Sequence, residues 1–440
     1  MRRSVNMNEL QGQSAIGNAA GPRLEAFPSL TTSPSLTTWM VAIYLGAVIL
    51  LEGTPWWTYN TYIAYIAAFL ALFSIRKNPS LRLLEFWVIV AMILWWWLCA
   101  TASPYPAESA IVAIYDMKIF AMSLIILLTI DSIPKVRLCL KAMIVAAVGL
   151  ALYGIVFGYS VILAGEGRFE GMTSNPNFYG GFLADAFLAG IVLFPMSGLK
   201  WKFVILFYFG MAWFGLMGTG SRAPVVEIVI ALVLYYFFEL VHNRRTNRRQ
   251  ILLFPIILIL IVAFILGFLP QSAFVQRVAA GFKEDSLIIR LNLFPYTLNL
   301  VSQRPVLGYG PGVFKNYSPS WVGSPHSSFL EILFSTGIPG LLFYIVLVLF
   351  LWNRLGKLVK SFRKDPMARK TFNAARAAFA GMVAYSFVSV SYHMKLSAAI
   401  FMIMIVFTSR VSAAVNMENT ETDMSRMDLS EESAEPEEKK

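Results

Sequence analysis

Long apolar runs separated by short polar segments fill most of the chain. The runs that we identify lie at residues 38–52, 57–75, 84–101, 111–130, 138–164, 178–196, 201–218, 223–241, 251–269, 328–352, 372–391 and 396–412. As α-helices they approach or exceed the length needed to cross the hydrocarbon core of a membrane, which takes about 20 residues. They are too continuous for barrel strands, in which apolar and polar residues alternate. The pattern therefore predicts an all-α polytopic membrane protein with about 12 transmembrane helices.

The composition agrees with this class of protein. Of the 440 residues, 57% are hydrophobic and only 14% are charged, whereas soluble domains carry about 25% charged residues. The net charge of +11 comes largely from basic residues in the loops between apolar runs, so it does not predict a nucleic-acid partner. Cys99 and Cys139 lie in or beside apolar runs, which predicts neither a disulfide framework nor a zinc site.

Basic residues are concentrated in every second loop, as after the second apolar run at Arg76 and after the eighth at Arg244. Cytoplasmic loops of membrane proteins carry the excess of Lys and Arg, so both termini are predicted to be cytoplasmic. The predicted organisation is a flexible N-terminal tail at residues 1–37, a transmembrane domain at residues 38–412 and an acidic C-terminal tail at residues 413–440.

Residues 270–327 form one large loop on the predicted outer side. A loop of this length is uncommon in a compact bundle and is usually functional. Residues 304–312 within it are rich in turn-forming glycine, so the backbone there can approach a ligand closely. Apolar residues at intervals of four and three also predict an amphipathic helix in this loop. They are Leu287, Leu291, Phe294, Leu298 and Val301.

Several arginines lie on the predicted outer side, where the topology favours few cations. They are Arg168, Arg222, Arg277, Arg290 and Arg304. A guanidinium group offers paired donors that match two phosphate oxygens, so the cluster indicates a phosphorylated lipid as ligand. No Asp-rich motif accompanies the arginines, which predicts a site without a metal ion. The alternative interpretation is that these side chains reach toward lipid headgroups at the membrane interface.

The histidines fall in three different settings. His326 ends the outer loop just before an apolar run, in the same compartment as the arginines. A neutral imidazole there can take a proton from a hydroxyl group. His393 lies at the turn between the last two runs, where structural and functional interpretations are both open. His242 lies in a basic loop, and we expect it to be solvated.

Four groups of residues occur in an order that resembles the O-antigen ligase and polymerase superfamily of bacterial membrane glycosyltransferases. The groups are Arg168-Phe169-Glu170-Gly171-Met172-Thr173-Ser174-Asn175-Pro176-Asn177, then Gly220-Ser221-Arg222, then Arg290 with Arg304-Pro305-Val306-Leu307-Gly308-Tyr309-Gly310, and last His326 with Glu331 and Thr336-Gly337-Ile338-Pro339-Gly340. The motifs cover about residues 160–345, and the topology resembles the family over the whole chain.

The resemblance implies a helical glycosyltransferase fold of the GT-C type in the bacterial inner membrane, with residues 38–412 as the catalytic domain. It implies metal-independent transfer, without a cofactor, from an undecaprenyl-diphosphate-linked glycan to a glycan or lipid acceptor. Arg222 and Arg290 would bind the diphosphate, and His326 would activate the acceptor hydroxyl. The possible further substrate contacts are Arg168, Arg304 and Asn177. Many members have Asn after the histidine, and here Ser327 stands in that place.

Alternative functions differ in where their charges should lie. A transporter or flippase of lipid-linked oligosaccharides should carry ionisable residues in mid-membrane and show paired repeats. The chain has few such residues, mainly Asp116, Lys118 and Asp185, and no visible repeat. An inactive accessory subunit is a third interpretation. Within the glycosyltransferase reading, a polymerase of surface polysaccharide is slightly favoured over a ligase, because nothing indicates a lipopolysaccharide core as partner.

Overall fold

A computed structural model describes residues 23, 24, 27, 30–52, 54–73, 84–164, 167–173, 175–242, 272–280, 285–318, 322–390 and 395–432. These residues are organised in helices, and they contain no β-strand. The helices are α1 (Leu36–Leu51), α2 (Thr58–Leu72), α3 (Leu84–Thr101), α4 (Pro106–Thr129), α5 (Ile133–Ala164), α6 (Pro176–Leu193), α7 (Leu199–Thr219), α8 (Arg222–His242), α9 (Ala273–Ala280), α10 (Asp285–Gln303), α11 (Ser328–Ser361), α12 (Pro366–Val388) and α13 (Lys395–Glu432).

The described part of the chain has 8 helices long and apolar enough to cross a membrane, namely α3 to α8, α11 and α13. The prediction of an all-α polytopic membrane protein is therefore confirmed. Helices α1 and α2 coincide with predicted spans but have only 16 and 15 residues. The predicted span at 251–269 lies outside the described residues. The total of about 12 spans stays a prediction.

Helix α12 corresponds to the predicted span at residues 372–391 and is less apolar than the eight helices above. It packs between α8 and α11 and is rich in buried alanine. Its polar residues bind a carboxylate on α8, with the Asn373 amide donating to Glu239 at 2.7 Å and Arg369 forming an ion pair with Glu239 at 3.6 Å. Charged side chains inside a bundle need such partners. A buried, paired interior helix can therefore dispense with a continuous apolar surface.

Helix α6 lies at the centre of the bundle, because every residue from Tyr179 to Leu193 is buried. It contacts α5, α7, α8 and α12. A β-carbon at Gly190 would lie only 2.6 Å from the ring of Phe209 on α7, so glycine permits this close helix approach. The N-terminal end of α6 lies beside the start of α8, where a β-carbon at Gly180 would lie 3.2 Å from Pro224 Cγ.

Helix α10 confirms the helix predicted between residues 270 and 327, but three residues of its predicted apolar face are exposed. Leu291, Phe294 and Leu298 from the predicted apolar face are 62%, 54% and 42% exposed. Val301 of the predicted face is buried, and the other buried positions are Leu293, Thr297 and Leu300. They pack on a small aromatic cluster that includes Tyr309, Phe314 and Phe334. Spacing alone could not show that this second face would contact the rest of the outer loop.

Helix α11 is kinked at Gly337, which has a left-handed φ of 68°. Pro339 has no N–H to donate to the Ser335 carbonyl, so that acceptor needs another partner. Residues 305–312 of the turn-rich segment, which we call the strap, supply it. Gly310 N donates to Ser335 O at 2.9 Å, and Tyr309 N donates to Phe334 O at 2.8 Å.

The contact between strap and kink runs in both directions. Ile338 N on α11 donates to Pro305 O of the strap at 2.8 Å. A β-carbon at Gly337 would lie 2.1 Å from Val306 O, and one at Gly308 would lie 2.5 Å from Phe334 O. Two of the motifs found in the sequence are therefore one structural unit, which fixes the chain on either side of His326.

The segments beyond the predicted membrane domain also contact the bundle where they are described. Leu24 and Leu30, which precede α1, are buried, and Leu24 N donates to Asp365 at 3.0 Å. At the same end of the bundle, Arg354 on α11 forms an ion pair with Glu85 on α3. Helix α13 continues to Glu432, past the boundary expected at residue 412.

Candidate functional site

An open polar cavity lies at the end of the bundle where α6 and α8 begin and α12 ends. Its empty volume is about 1200 Å³, part of which is open to solvent at the mouth. Helices α9 and α10 and the segment before α11 complete the wall. The lining residues are Asn175, Asn177, Phe178, Ser221, Arg222, Ala223, Arg277, Arg290, Gly312, Gly323, Ser324, His326, Glu331, Tyr385, Val388, Ser389 and Val390.

The predicted site residues divide into two groups. Arg222, Arg290, His326 and Asn177 all line this one cavity. In the sequence, Asn177 and His326 lie far apart, at the start of α6 and just before α11. Arg168 lies directly behind the wall and contacts Asn177. The cavity therefore combines guanidinium groups, an imidazole and a carboxamide at one end of the bundle.

The backbone of His326 has an unusual conformation. Its φ of 55° is the only left-handed value at a non-glycine position among the described residues. This region costs an L-residue about 1–2 kcal/mol relative to the right-handed one, and such outliers are concentrated at functional sites. The His326 amide donates to Ser324 Oγ at 3.4 Å. The turn directs the imidazole into the cavity just before α11 begins.

The charge state of the imidazole follows from its surroundings. Partial burial lowers the pKa of His326 below its ordinary value, and the positive charge of Arg290 lowers it further. Both causes disfavour the protonated form. At neutral pH the imidazole is therefore neutral, and one of its ring nitrogens can accept a proton.

Arg222 and Arg277 connect two elements of the cavity wall. Arg277 on α9 donates from Nη1 to Gly220 O at 3.0 Å, and Arg222 donates from Nη1 to Arg277 O at 3.4 Å. Gly220 ends α7 with a left-handed φ of 59°, which turns the chain sharply into α8. The reciprocal contacts hold both guanidinium groups beside the cavity. Arg277 was part of the arginine cluster in the sequence, but no motif singled it out as a site residue.

Arg290 brings a guanidinium group from the opposite side. It lies on α10 and donates from Nη1 to Val388 O at the end of α12, at 3.4 Å. The buried carboxylate of Glu331, on the first turn of α11, also lines the cavity. Ser335 Oγ donates to it at 3.5 Å. Tyr385 of α12 and Ser389, which follows α12, complete this side, and no sequence pattern pointed to either of them.

Arg168 and Asn177 form a network behind Arg222. Arg168 Nε donates to Thr219 O at 2.7 Å, and its Nη2 donates to Asn177 Oδ1 at 2.9 Å. Ser221 Oγ donates to the same Asn177 oxygen at 2.8 Å. Asn175 caps the N-terminus of α6 by accepting from Asn177 N at 2.9 Å. The turn before α8 is thereby fixed to the start of α6.

Arg304 does not line the cavity. It donates from Nη2 to Ala102 O, between α3 and α4, at 3.2 Å, and its guanidinium lies 5.6 Å from the ring centre of Tyr309 in the strap. The structure thus places Arg304 within the wall that supports the strap. His393, the other histidine considered on the outer side, lies outside the described residues.

The described residues contain no group of three or more His, Cys, Asp or Glu side chains that could hold a metal ion. The cationic side chains of the cavity are suited instead to an anionic ligand. Guanidinium groups form paired, charge-assisted hydrogen bonds with phosphate oxygens. A neutral imidazole in the same cavity can act on a hydroxyl group that approaches such a ligand.

Comparison with known proteins supports one relationship. Residues 206–345 match the family model described as O-antigen ligase, over about a third of the chain. The match begins in α7 and ends in α11, so it contains Arg222, Arg290 and His326 but not Arg168 or Asn177. A comparison with curated proteins gives no match. The resemblance to the O-antigen ligase and polymerase superfamily is therefore confirmed by the match of residues 206–345, which include Arg222, Arg290 and His326 of the cavity.

Proposed function

We propose that this membrane protein is a metal-independent glycosyltransferase that uses an undecaprenyl-diphosphate-linked glycan as donor. The acceptor is a hydroxyl group of a second glycan or of a lipid-linked glycan. The observation that carries the proposal is the common cavity of Arg222, Arg290 and His326. The match of residues 206–345 to the O-antigen ligase family model supports the same class of reaction.

The leaving group is stabilised by the arginines. As the bond between the anomeric carbon and the diphosphate oxygen breaks, negative charge increases on that oxygen. Arg222 and Arg290 are fixed cations that lie beside the cavity before the reaction begins, so little reorganisation is needed. The product on this side is the lipid diphosphate.

The acceptor is activated by His326. Its neutral imidazole takes the proton from the acceptor hydroxyl while the hydroxyl oxygen forms the new bond to the anomeric carbon. The imidazolium then releases the proton to water at the open mouth of the cavity. One glycosidic bond forms and one glycosyl phosphate bond breaks, so no redox partner or metal ion is required.

A neighbouring apolar cavity supports a lipid-linked donor. It has an empty volume of about 880 Å³ and is lined mainly by aliphatic and aromatic side chains of α3, α4, α11, α12 and α13. Ile332 and Ser386 line it, and they directly follow Glu331 and Tyr385 of the polar cavity. A ligand with a charged head and a polyprenyl chain matches two adjacent spaces of this kind.

Product analysis tests the proposal. Purified protein in lipid nanodiscs would be incubated with an undecaprenyl-diphosphate oligosaccharide, and the products would be separated by length. We expect a ladder of longer lipid-linked glycans, because a polymerase is slightly favoured. Transfer to a lipid A core would identify a ligase instead. Absence of transfer, together with transbilayer movement of the oligosaccharide in vesicles, would support the flippase alternative and overturn the proposal.

Chelation tests metal independence separately. We expect EDTA to leave turnover unchanged, because the proposed chemistry uses only guanidinium and imidazole groups. Loss of activity with EDTA, followed by recovery when a divalent cation is added, would contradict the mechanism. A parallel reaction with a glycosyltransferase known to need a metal ion serves as the control for effective chelation.

The proposal also requires the cavity to face away from the cytoplasm, with both termini on the cytoplasmic side of the inner membrane. The alternation of basic loops supports this orientation. Alkaline phosphatase fused after Gly312 should be active, and a fusion after Arg249 should be inactive. The opposite pattern would reverse the topology.

A further inference from the structure

The hydrogen bonds of Asn177 determine how its side chain is oriented. Its Oδ1 atom accepts from Arg168 Nη2 at 2.9 Å and from Ser221 Oγ at 2.8 Å. A guanidinium group can only donate, so the carboxamide atom that it meets has to be the oxygen. The alternative amide orientation would place two sets of N–H donors against each other. The assignment of Oδ1 and Nδ2 is therefore fixed by chemistry.

The same network determines which atom is left for a ligand. Both lone pairs of Oδ1 are occupied, whereas Nδ2 donates to no partner among the described residues. Asn177 is half-buried and lines the polar cavity beside Ser221 and Arg222. A carboxamide nitrogen carries two N–H groups, and they prefer an acceptor oxygen. The cavity is where such an acceptor can lie.

We propose that Asn177 binds a phosphate oxygen of the donor diphosphate through Nδ2, and that Arg168 is a positioning residue that fixes the carboxamide for this contact. The inference rests on the proposed function. An anionic oxygen fits better than a sugar hydroxyl because Arg222 and Arg277 line the same part of the wall. N–H donors close to guanidinium groups reinforce binding of an anion.

Arg168 acts on the site from behind. It does not line the cavity, but it joins Thr219 O, at the end of α7, to Asn177, at the start of α6. Ser221 N also donates to Thr219 Oγ1 at 3.0 Å. The guanidinium group of Arg168 therefore sets the carboxamide and the turn before Arg222 in one geometry.

A pair of substitutions separates ligand binding from a purely structural role. Asn177→Asp keeps the acceptor for Arg168 and Ser221 but replaces the N–H donors by a carboxylate oxygen. Asn177→Ala removes both functions without adding charge. If Asn177 only holds the turn, the Asp variant should be the more active one, because its bond to Arg168 is charge-assisted. If Nδ2 contacts an anion, the Asp variant should be the less active one.

We expect turnover to fall about 10²–10³-fold in Asn177→Ala, the range for loss of one preorganised donor. The loss should be larger in Asn177→Asp, which also places a carboxylate against the anion. The thermal unfolding temperature of the Asp variant should stay close to that of the wild type. Asn299→Asp is the matched control, because Asn299 is exposed on α10 and does not line the cavity. It adds the same charge at the same end of the bundle and should leave turnover unchanged.

Binding gives a readout that does not depend on turnover. Undecaprenyl diphosphate and uncharged undecaprenol would each be titrated into protein in nanodiscs. Asn177→Asp should weaken binding of the diphosphate at least tenfold and leave undecaprenol binding unchanged. Equal or tighter diphosphate binding by the Asp variant, relative to Asn177→Ala, would overturn the inference.

A double-substitution cycle tests the positioning role of Arg168. If Arg168 acts through the carboxamide, the loss in Arg168→Met with Asn177→Ala should be no larger than the greater single loss. Multiplicative losses would show independent roles and overturn this part. Wild-type protein that does not bind undecaprenyl diphosphate would overturn the proposed function and the inference together. Wild-type turnover with Asn177→Asp more active than Asn177→Ala would overturn the inference alone.

Discussion

Two arginine settings at the same end of the molecule differ in what surrounds the guanidinium group. Arg222 and Arg290 line an open cavity of about 1200 Å³ together with His326. Arg304 lies behind the strap, on the Ala102 carbonyl and near the face of the Tyr309 ring. In the first setting the charge faces a space large enough for a ligand. In the second the hydrogen-bonding and stacking capacity is directed at the protein itself.

The comparison shows that residue type and position at one end of the bundle do not determine the role of an arginine. Backbone carbonyls orient the arginines in both settings. Arg222 donates to Arg277 O and Arg290 to Val388 O, and Arg304 donates to Ala102 O. What distinguishes them is the open volume beyond those contacts. Substitutions should therefore reduce catalysis in the cavity and stability behind the strap, which can be measured separately.

The largest effect is expected for the base at the centre of the cavity. His326→Asn should lower turnover about 10²–10⁴-fold, the range for loss of a general base. Asn tolerates a left-handed φ better than most residues, so the backbone turn should be retained. Thermal unfolding checks the fold, and His326→Ala serves as a comparison that adds backbone strain. Near wild-type turnover of purified His326→Asn would exclude the imidazole as the base.

The next largest effect is expected for the cavity arginines. Arg222→Lys and Arg290→Lys should each lower turnover about 10²–10³-fold, because lysine keeps the charge but loses the planar pair of donors. Initial rates with the lipid-linked donor measure the loss. The matched control is Arg363→Lys, on an exposed residue at the opposite end of the bundle. Full activity of both cavity variants would place the diphosphate elsewhere.

The pH dependence of turnover should reflect the lowered pKa of His326, which partial burial and the charge of Arg290 cause. Its pKa lies below the ordinary value, so the neutral form already predominates near pH 6.5. Turnover should rise about tenfold per pH unit on the acidic limb, with a midpoint below pH 6.5. Arg290→Met should move the midpoint upward, since one positive charge is removed, whereas Arg290→Lys should leave it in place. A wild-type midpoint above pH 6.5 would contradict this assignment.

The smallest effect on catalysis is expected behind the strap. Arg304→Met should change turnover only a few-fold but lower the free energy of unfolding by about 1–2 kcal/mol, from one hydrogen bond and one cation–π contact. Arg304→Lys should recover part of this stability because it retains a cation near Tyr309. Thermal unfolding in detergent measures the difference. A loss of turnover as large as that of Arg222→Lys would remove the distinction between the two settings.

The sequence predicted the class of fold, and four of its candidate site residues, Arg222, Arg290, His326 and Asn177, line the cavity. Apolar runs report lipid contact directly, and the outer arginines and His326 are unusual enough to stand out locally. The sequence did not separate Arg304 from Arg222, because the partner of Arg304 is Ala102, about 200 residues earlier in the chain. It also could not choose the buried face of α10, which depends on the aromatic cluster of the strap and α11.

The strap and the kink have a further consequence for the length of the chain between them. Gly310 is paired with Ser335, and Gly308 and Gly337 leave no room for either segment to slide. The segment between these two anchors, which contains His326, therefore has to span a fixed distance with a fixed number of residues. An inserted residue in this segment has to bulge outward or displace the imidazole, and a deletion, which shortens the path between the two anchors, has to displace it. Changes of loop length should consequently be tolerated far less here than in the tails of the chain.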